Sequence, residues 1–582
     1  MSKLNIDQKS VRALFSEKRT DFLIPDYQRP YAWDEKECQT LWDDLFAFSF
    51  PDNDCDKFNS EADEYFLGPI VTFKNADGKM EIIDGQQRLT TLMLLLRAFY
   101  DKYGNMKNDK AIKTSKFIEQ CIWKTDEFGD PDKSALKINS EVATDKEKAE
   151  FLDILRRGVV DDGEVSRYAR NYRFFQDRIV AFLNCYPDWF SFFPIRIMNN
   201  CILLPIEAES QDTALRIFST LNDRGKPLSD ADIFKAQFYK YYTEQGKKDQ
   251  FIEKWKNLEM LCDSLFHPMS GTPMDELFTR YMYYERALQG NKSSTTEALR
   301  KFYERNGYAI LKSEQTFENL IDLANFWNDV QNQSVERFSD RILRRLFVLN
   351  YAPNGMWTYV VSVYYMANRA VDGTLDDDAF FTFLSKITGF IWAYAITNPG
   401  VNALRTPIYA EMINIVNGLP VRFADYLFIT DQLQNALSNY VFSNNRAITK
   451  SMLTWWSFQD VGQELLSLES VLEIEHIYAR NRNSKEHTLS NPRNVENLGN
   501  KAILEKRINI RASDYRFSDK SKYYIGYENA RKQKKNGTKI KELRDLAAEM
   551  TDFTEENIVQ RQTRIVFGFL KFLHENGLIA DE

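Results

Sequence analysis

Val471-Leu472-Glu473-Ile474 is a short β-prone run that stops at Glu475-His476-Ile477. Asn497-Leu498-Gly499-Asn500 and then Asn509 follow it. No other stretch constrains the fold so tightly: the order predicts a strand, a loop and a helix-like segment from Lys501 that carries Asn509. An imidazole at the strand end can take a proton from water while an adjacent carboxylate and a distal amide oxygen hold a divalent ion. Oxygen ligands on a hydrated ion point to Mg²⁺ or Mn²⁺ in place of zinc. The expectation is a ββα-metal layout for phosphodiester hydrolysis, with His476 as the base. The blander reading, a satisfied core histidine, is the starting point for any of the four histidines, His267, His476, His487 and His574. The carboxylate beside His476 and the asparagines after it favour chemistry there, while His487 reads as a surface loop residue and His267 and His574 are assigned no role.

At 582 residues the chain exceeds what one core usually serves, so roughly two to four domains are expected. The apolar run Leu92 to Leu96 is broken by Arg97. The sequence therefore predicts no stretch near the roughly 18 apolar residues of a membrane span. Met1 to Asn5 lacks the apolar core of a secretion signal, and the six cysteines show no C-x-x-C pairing. Reduced thiols in a cytoplasmic protein are the expectation. A net charge of −8 argues against sequence-blind adhesion to DNA. Yet Lys501 to Lys541 holds 13 Lys/Arg against four acidic residues, with Tyr515, Phe517, Tyr523, Tyr524 and Tyr527 between them. Beside the expected metal site, that stretch suits a phosphate backbone. A solvated helix face is the ordinary fate of such a run.

Three blocks follow from the patterning: a mixed α/β region over residues 1–245, a helical region over 246–420, and a third over 421–582 ending in an amphipathic helix near Val559 to His574. A hairpin is predicted between Pro69–Phe73 and Met80–Ile83. Ile24 to Trp33 leads into a helix capped by Asp34, with Glu37 completing the box. Ile82-Ile83-Asp84-Gly85-Gln86-Gln87-Arg88 ends a strand and opens a helix over Leu89 to Tyr100. Such a turn points backbone N–H groups at whatever sits above it. Gly85 lets a phosphate approach, Arg88 and Arg29 could neutralise it, and Gln86 or Gln87 could orient a water. Phe218 to Lys226, followed by the capping box Ser229 to Asp232 and a helix bearing Lys235, adds a third arginine-containing turn. Together these turns suggest a phosphate or nucleotide site, although no Walker-type loop is present. Tyr27, Tyr31 and Trp33 could stack on a base, but packing is the safer reading, as it is for Trp455-Trp456.

The I-P-x-x-Q-R-P-Y-x-W and I-D-G-Q-Q-R-L-T-T-L signatures, with the later L-N-D-R-G-x-P-L, resemble the S half of GmrSD-type restriction enzymes. The I-E-H-I, N-L-G-N and E-K-R-I-N segments resemble the D half. The resemblance implies an α+β multidomain chain with a ParB/sulfiredoxin-like α/β domain that binds and hydrolyses an NTP (GTP, ATP or another). It further implies a helical middle and a C-terminal HNH, or His-Me finger, nuclease domain. Such enzymes are modification-dependent (type IV) endonucleases that cut foreign, typically phage, double-stranded DNA, and relatives include sensors of backbone phosphorothioation. A homodimer is one arrangement that would cut both strands. Carried over by motif, His476 becomes the general base, Glu475 and Asn509 the metal ligands, and Asn500 the residue that holds the loop. Gln28, Arg29, Asp84, Gly85, Gln86 and Arg88 match the nucleotide-site motifs. The last position of the H-N-H order is Asn509, and the proline frequent after the E-H-I step is replaced by Ala479 or its neighbours. Two rival readings are an NTP-switched, partition-like DNA-binding protein that does not cut, and a nuclease toxin indifferent to modification.

Overall fold

The computed structural model describes residues 5–580 apart from 19, 143, 144, 146, 161, 162, 164, 165, 212, 215, 216, 218–228, 294, 296, 401, 514, 515, 529 and 530. The Phe218 to Lys226 turn thus lies outside the described residues. The chain divides into two compact units, Met1–Asn257 and Leu258–Glu582.

The first unit is built on a mixed, seven-stranded sheet. Its strands are β1 (Asn5–Ile6), β2 (Lys9–Ser10), β3 (Phe22–Ile24), β4 (Tyr65–Lys74), β5 (Met80–Asp84), β6 (Ile138–Ser140) and β7 (Cys201–Ala208). They lie in the order β1-β7-β4-β5-β3-β6, with β2 also on β7. β4 and β5 make the antiparallel hairpin predicted from the sequence, while β3 runs parallel to both β5 and β6. Helix α1 (Glu35–Ser49) starts at Asp34 with the full capping box. Helix α2 (Gln86–Tyr103) begins directly after Gly85, and every residue from Leu89 to Phe99 is buried. A helix apolar on all sides must be enclosed on all sides, which accounts for the Leu92 to Leu96 run. Helix α3 (Asp230–Glu244) carries the expected capping box at Ser229.

In the second unit, helices α4 (Pro273–Leu288), α5 (Glu314–Gln331), α6 (Met356–Asn368), α7 (Asp377–Thr397) and α8 (Ala447–Ser457) precede the hairpin β8 (Leu472–His476) and β9 (Lys501–Glu505). Helices α9 (Lys506–Ala512), α10 (Phe517–Ile525), α11 (Lys541–Glu549) and α12 (Glu555–Glu575) follow. Within the second unit, packing crosses the position near residue 420 where the sequence suggested a division. Gly389 of α7 approaches so closely that a Cβ there would stand 2.9 Å from Leu573 and Leu578. Phe428 also exchanges backbone hydrogen bonds of 2.9 Å with the Leu578–Ala580 segment. Contrary to the sequence reading, α7 is long and apolar enough to cross a membrane by length and composition. Sixty-seven per cent of its apolar window is buried within the protein, as a core helix requires.

Candidate functional site

β8 and β9 pair antiparallel with His476 opposite Lys501. The segment from Lys501 is therefore a strand before it is a helix, because Ala502, Ile503 and Leu504 are buried against the hairpin. Asn509 rides on α9, which begins at Lys506. The loop between the strands is fixed by Asn500, whose Oδ1 accepts from the Tyr478 N–H at 2.7 Å. Its Nδ2 donates to the Tyr478 and Val495 carbonyls, both at 2.9 Å. Gly499 is pressed against α12, where a Cβ would lie 2.0 Å from the Ile558 carbonyl oxygen. The buried Arg561 of α12 donates to the carbonyls of Gly499 at 3.0 Å and Lys501 at 2.6 Å, and its guanidinium pairs with Glu542. Ala479 has φ −65° and ψ 139°. This is the backbone a proline would impose, so the missing proline changes nothing locally.

His476 is 9 % exposed at the end of β8. Burial, then the Lys501 and Arg480 charges, hold its imidazole down to about 4, so it is neutral at ordinary pH and able to accept a proton. Its Nε2 lies 3.5 Å from Glu496 Oε1, too far for a strong hydrogen bond but close enough to favour a hydrogen on that nitrogen. Glu496 also meets Arg480 at 2.6 Å and Lys501 at 2.7 Å. Burial works to raise its carboxyl, and the Lys501 ammonium overrides this, holding it down to about 2.

The two expected metal ligands are not brought together. Side chains alternate along a strand, so Glu475 points away from His476. Its Oε1 accepts from Lys520 Nζ at 2.7 Å and from the Tyr524 hydroxyl at 2.6 Å, in a buried cluster where Lys520 also reaches the His476 carbonyl at 2.6 Å. Asn509 instead donates to Glu473 Oε2 at 3.0 Å. Among the described residues no group of three or more His, Cys, Asp or Glu side chains is placed to hold a metal. The expected donor set therefore does not fit an ion as it stands.

The basic stretch is not one surface. Lys501 and Lys520 are buried, and Lys541 is paired with Asp460 at 2.8 Å and Asp545 at 2.6 Å. Lys506, Arg507 and Arg511 stand exposed on α9 around Asn509, and Lys532 and Lys534 are exposed further on.

In the first unit, Gly85 caps α2 with φ +94°, a left-handed backbone that costs glycine nothing. The glutamines around it are fasteners. Gln28 donates to the Ile82 and Ile83 carbonyls at 3.3 and 3.2 Å, and its Oε1 accepts from Gln86 Nε2 at 3.1 Å. Gln87 accepts from the Ala32 N–H at 2.7 Å and donates to the Pro30 carbonyl at 3.2 Å. Gln86 Nε2 and both amide atoms of Gln87, the residues expected to orient a water, are thus held by these contacts. The ionisable groups remain: burial raises the Asp84 carboxyl while Arg88 and Arg29 oppose it, and Arg88 donates to the Pro69 carbonyl at 2.8 Å. Tyr31 is core, its hydroxyl 2.7 Å from Thr91 Oγ1 and 3.0 Å from Asn171 Nδ2. Trp455 is likewise buried.

Residues 11–239 match the GmrSD restriction endonuclease N-terminal domain, and residues 428–566 match the GmrSD restriction endonucleases' C-terminal domain. The chain is a GmrSD-type fusion. It belongs with the type IV restriction endonucleases and acts on DNA. No curated protein matches it. Within this GmrSD chain, the N-terminal match contains the Gly85 turn, and the C-terminal match contains the hairpin and Arg561. Sequence reasoning missed Glu496, Lys520 and Arg561. The acid directly preceding N-L-G-N was a local signal for Glu496. Lys520 and Arg561 were hidden among ordinary helix-surface charges.

Proposed function

We propose that this GmrSD enzyme cleaves modified foreign DNA, typically of phages, with His476 as general base, under control of an NTP bound at the N-terminus of α2. The observation that carries the reading is the neutral, buried imidazole of His476, at a strand end fixed by Asn500, inside the matched C-terminal domain. His476 Nε2 makes no hydrogen bond and lies 3.5 Å from Glu496 Oε1; with the hydrogen assigned to Nε2, Nδ1 is the nitrogen that takes a proton from the attacking water. Transfer then leaves an imidazolium that the Glu496 carboxylate stabilises. Arg507 and Arg511 on α9 are suited to the DNA phosphates.

Mg²⁺ or Mn²⁺ remains the proposed cofactor, supplying charge stabilisation on the phosphate when bound. Glu475 is committed to Lys520, and Glu473, which Asn509 meets, lies on the same face of β8 and so away from His476; no donor pair beside His476 is assigned to the ion. At the N-terminal site, the α2 N–H groups with Arg88 and Arg29 would receive phosphates. A cytoplasmic setting and a homodimer that cuts both strands belong to the same proposal.

The test is cleavage of plain, hydroxymethylated, glucosylated and phosphorothioated DNA with Mg²⁺ or Mn²⁺, with and without NTP. Cutting confined to one modified substrate is expected, and Arg88→Ala should abolish NTP turnover. Equal cutting of all substrates would remove modification dependence, and unchanged turnover in Arg88→Ala would remove the nucleotide site.

A further inference from the structure

A pocket of about 190 Å³ in the second unit lies between helices α4, α5 and α6 and is unrelated to His476 by any shared residue. Its floor is aromatic and buried: Trp327 and Trp357 meet edge to face with centroids 5.6 Å apart. Trp327 is tied by its Nε1–H to Ser362 Oγ at 2.9 Å. Asn350 and Gln331 stand exposed at the rim. An apolar floor with a few polar groups at the mouth is the usual build of a small-ligand site.

Arg280 is what demands an occupant. It is 8 % exposed, with its guanidinium carbon 4.3 Å from the Trp327 ring centre and 4.5 Å from that of Phe266. Nε donates to Glu276 at 2.9 Å, which offsets the charge. Nη1 is buried, lacks a hydrogen-bond partner, and belongs to a residue that lines the pocket. An unmet charged donor costs about 1–3 kcal/mol or more.

We propose that this pocket receives a nucleobase turned out of DNA, whose carbonyl edge accepts from Arg280 Nη1 while its ring lies among the tryptophans. Size supports a flat ring: a cavity of about 150 Å³ holds benzene, and this one is somewhat larger. Enzymes that inspect a base take it out of the stack and read its edge between aromatic walls. The rim amides of Asn350 and Gln331 supply both donors and acceptors for that reading. The inference rests on the enzyme acting on DNA, and it assigns base inspection to the helical region and not to the cleavage site.

The test is calorimetric titration of the full-length protein with the four deoxynucleosides and 5-hydroxymethyl-deoxycytidine, with benzoate as a flat, anionic control. Saturable binding of at least one nucleoside is expected, weakened tenfold or more both by Asn350→Ala at the exposed rim and by Arg280→Lys, which keeps charge but loses the planar fork. Failure of every nucleoside to bind overturns the proposal. So does binding unchanged in Asn350→Ala, which removes an exposed side chain and should leave the fold intact, or benzoate binding as well as any nucleoside. DNA cleavage assayed in parallel separates the two ideas: cleavage retained without nucleoside binding rejects the pocket alone.

Discussion

The Gly85 turn in the first unit and the His476 loop in the second solve the same problem with different residues. Each needs a sharp bend that presents ionisable groups, and each spends its motif amides on holding the bend. At the turn, Gln28, Gln86 and Gln87 stitch two loops together and leave Asp84, Arg88 and Arg29 for charge. At the loop, Asn500 takes the stitching role and leaves His476 beside Glu496. The two differ in how charge is neutralised. Asp84 sits between two arginines at a helix start, whereas Glu475 is sealed with Lys520 and Tyr524 on the face away from His476. Motif amides thus serve architecture, and the proposed chemistry is assigned to the charged residues and the histidine between them.

The largest effect on stability should come from opening the sealed pair. Lys520→Met leaves Glu475 buried and unpaired, and a loss of about 3–5 kcal/mol is expected in denaturant titration. A near-neutral result would mean that Glu475 is free to move and could serve an ion after all.

Next comes pH. His476 is held to about 4 in the folded protein against about 6.5 unfolded. The unfolded chain therefore takes up a proton first, and stability falls as pH drops from about 6.5 to about 4. The loss should be on the order of 3 kcal/mol and should vanish in His476→Phe. An acid limb in the stability curve that survives that substitution would place the titration elsewhere.

Asn500→Ala leaves the Tyr478 N–H and two carbonyls unmet and should cost about 1–3 kcal/mol by thermal melting. Gln86→Leu removes longer, weaker contacts and should cost about 0.5–1.5 kcal/mol while sparing NTP turnover. Turnover lost in Gln86→Leu with the fold intact would break the comparison, since a motif amide would then be acting in chemistry.

Local signals were readable from the chain. The capping boxes at Asp34 and Ser229, the β4–β5 hairpin, the Gly85 turn and the strand ending at His476 each follow from a few adjacent residues whose preferences agree. What escaped depended on distant partners. Lys501 opens a strand because Ala502 to Leu504 pair with β8, a contact that outweighs its place in a helix-prone basic run. Lys520 and Arg561 look like surface cations until the carboxylates and carbonyls that bury them are known. Asn509 was placed on the right helix, but its amide partner, Glu473, lies two residues before the carboxylate expected from the motif. Asp377–Thr397 reads as a membrane-length segment by composition alone, and only its packing makes it core.

The most direct test of the account is single-turnover nicking of the preferred DNA by wild type and His476→Ala, with folding checked by thermal melting. Loss of a general base should slow cleavage about 10²–10⁴-fold while the protein stays folded. Cleavage at the wild-type rate in folded His476→Ala would contradict it, and the nuclease chemistry would have to lie elsewhere in the chain.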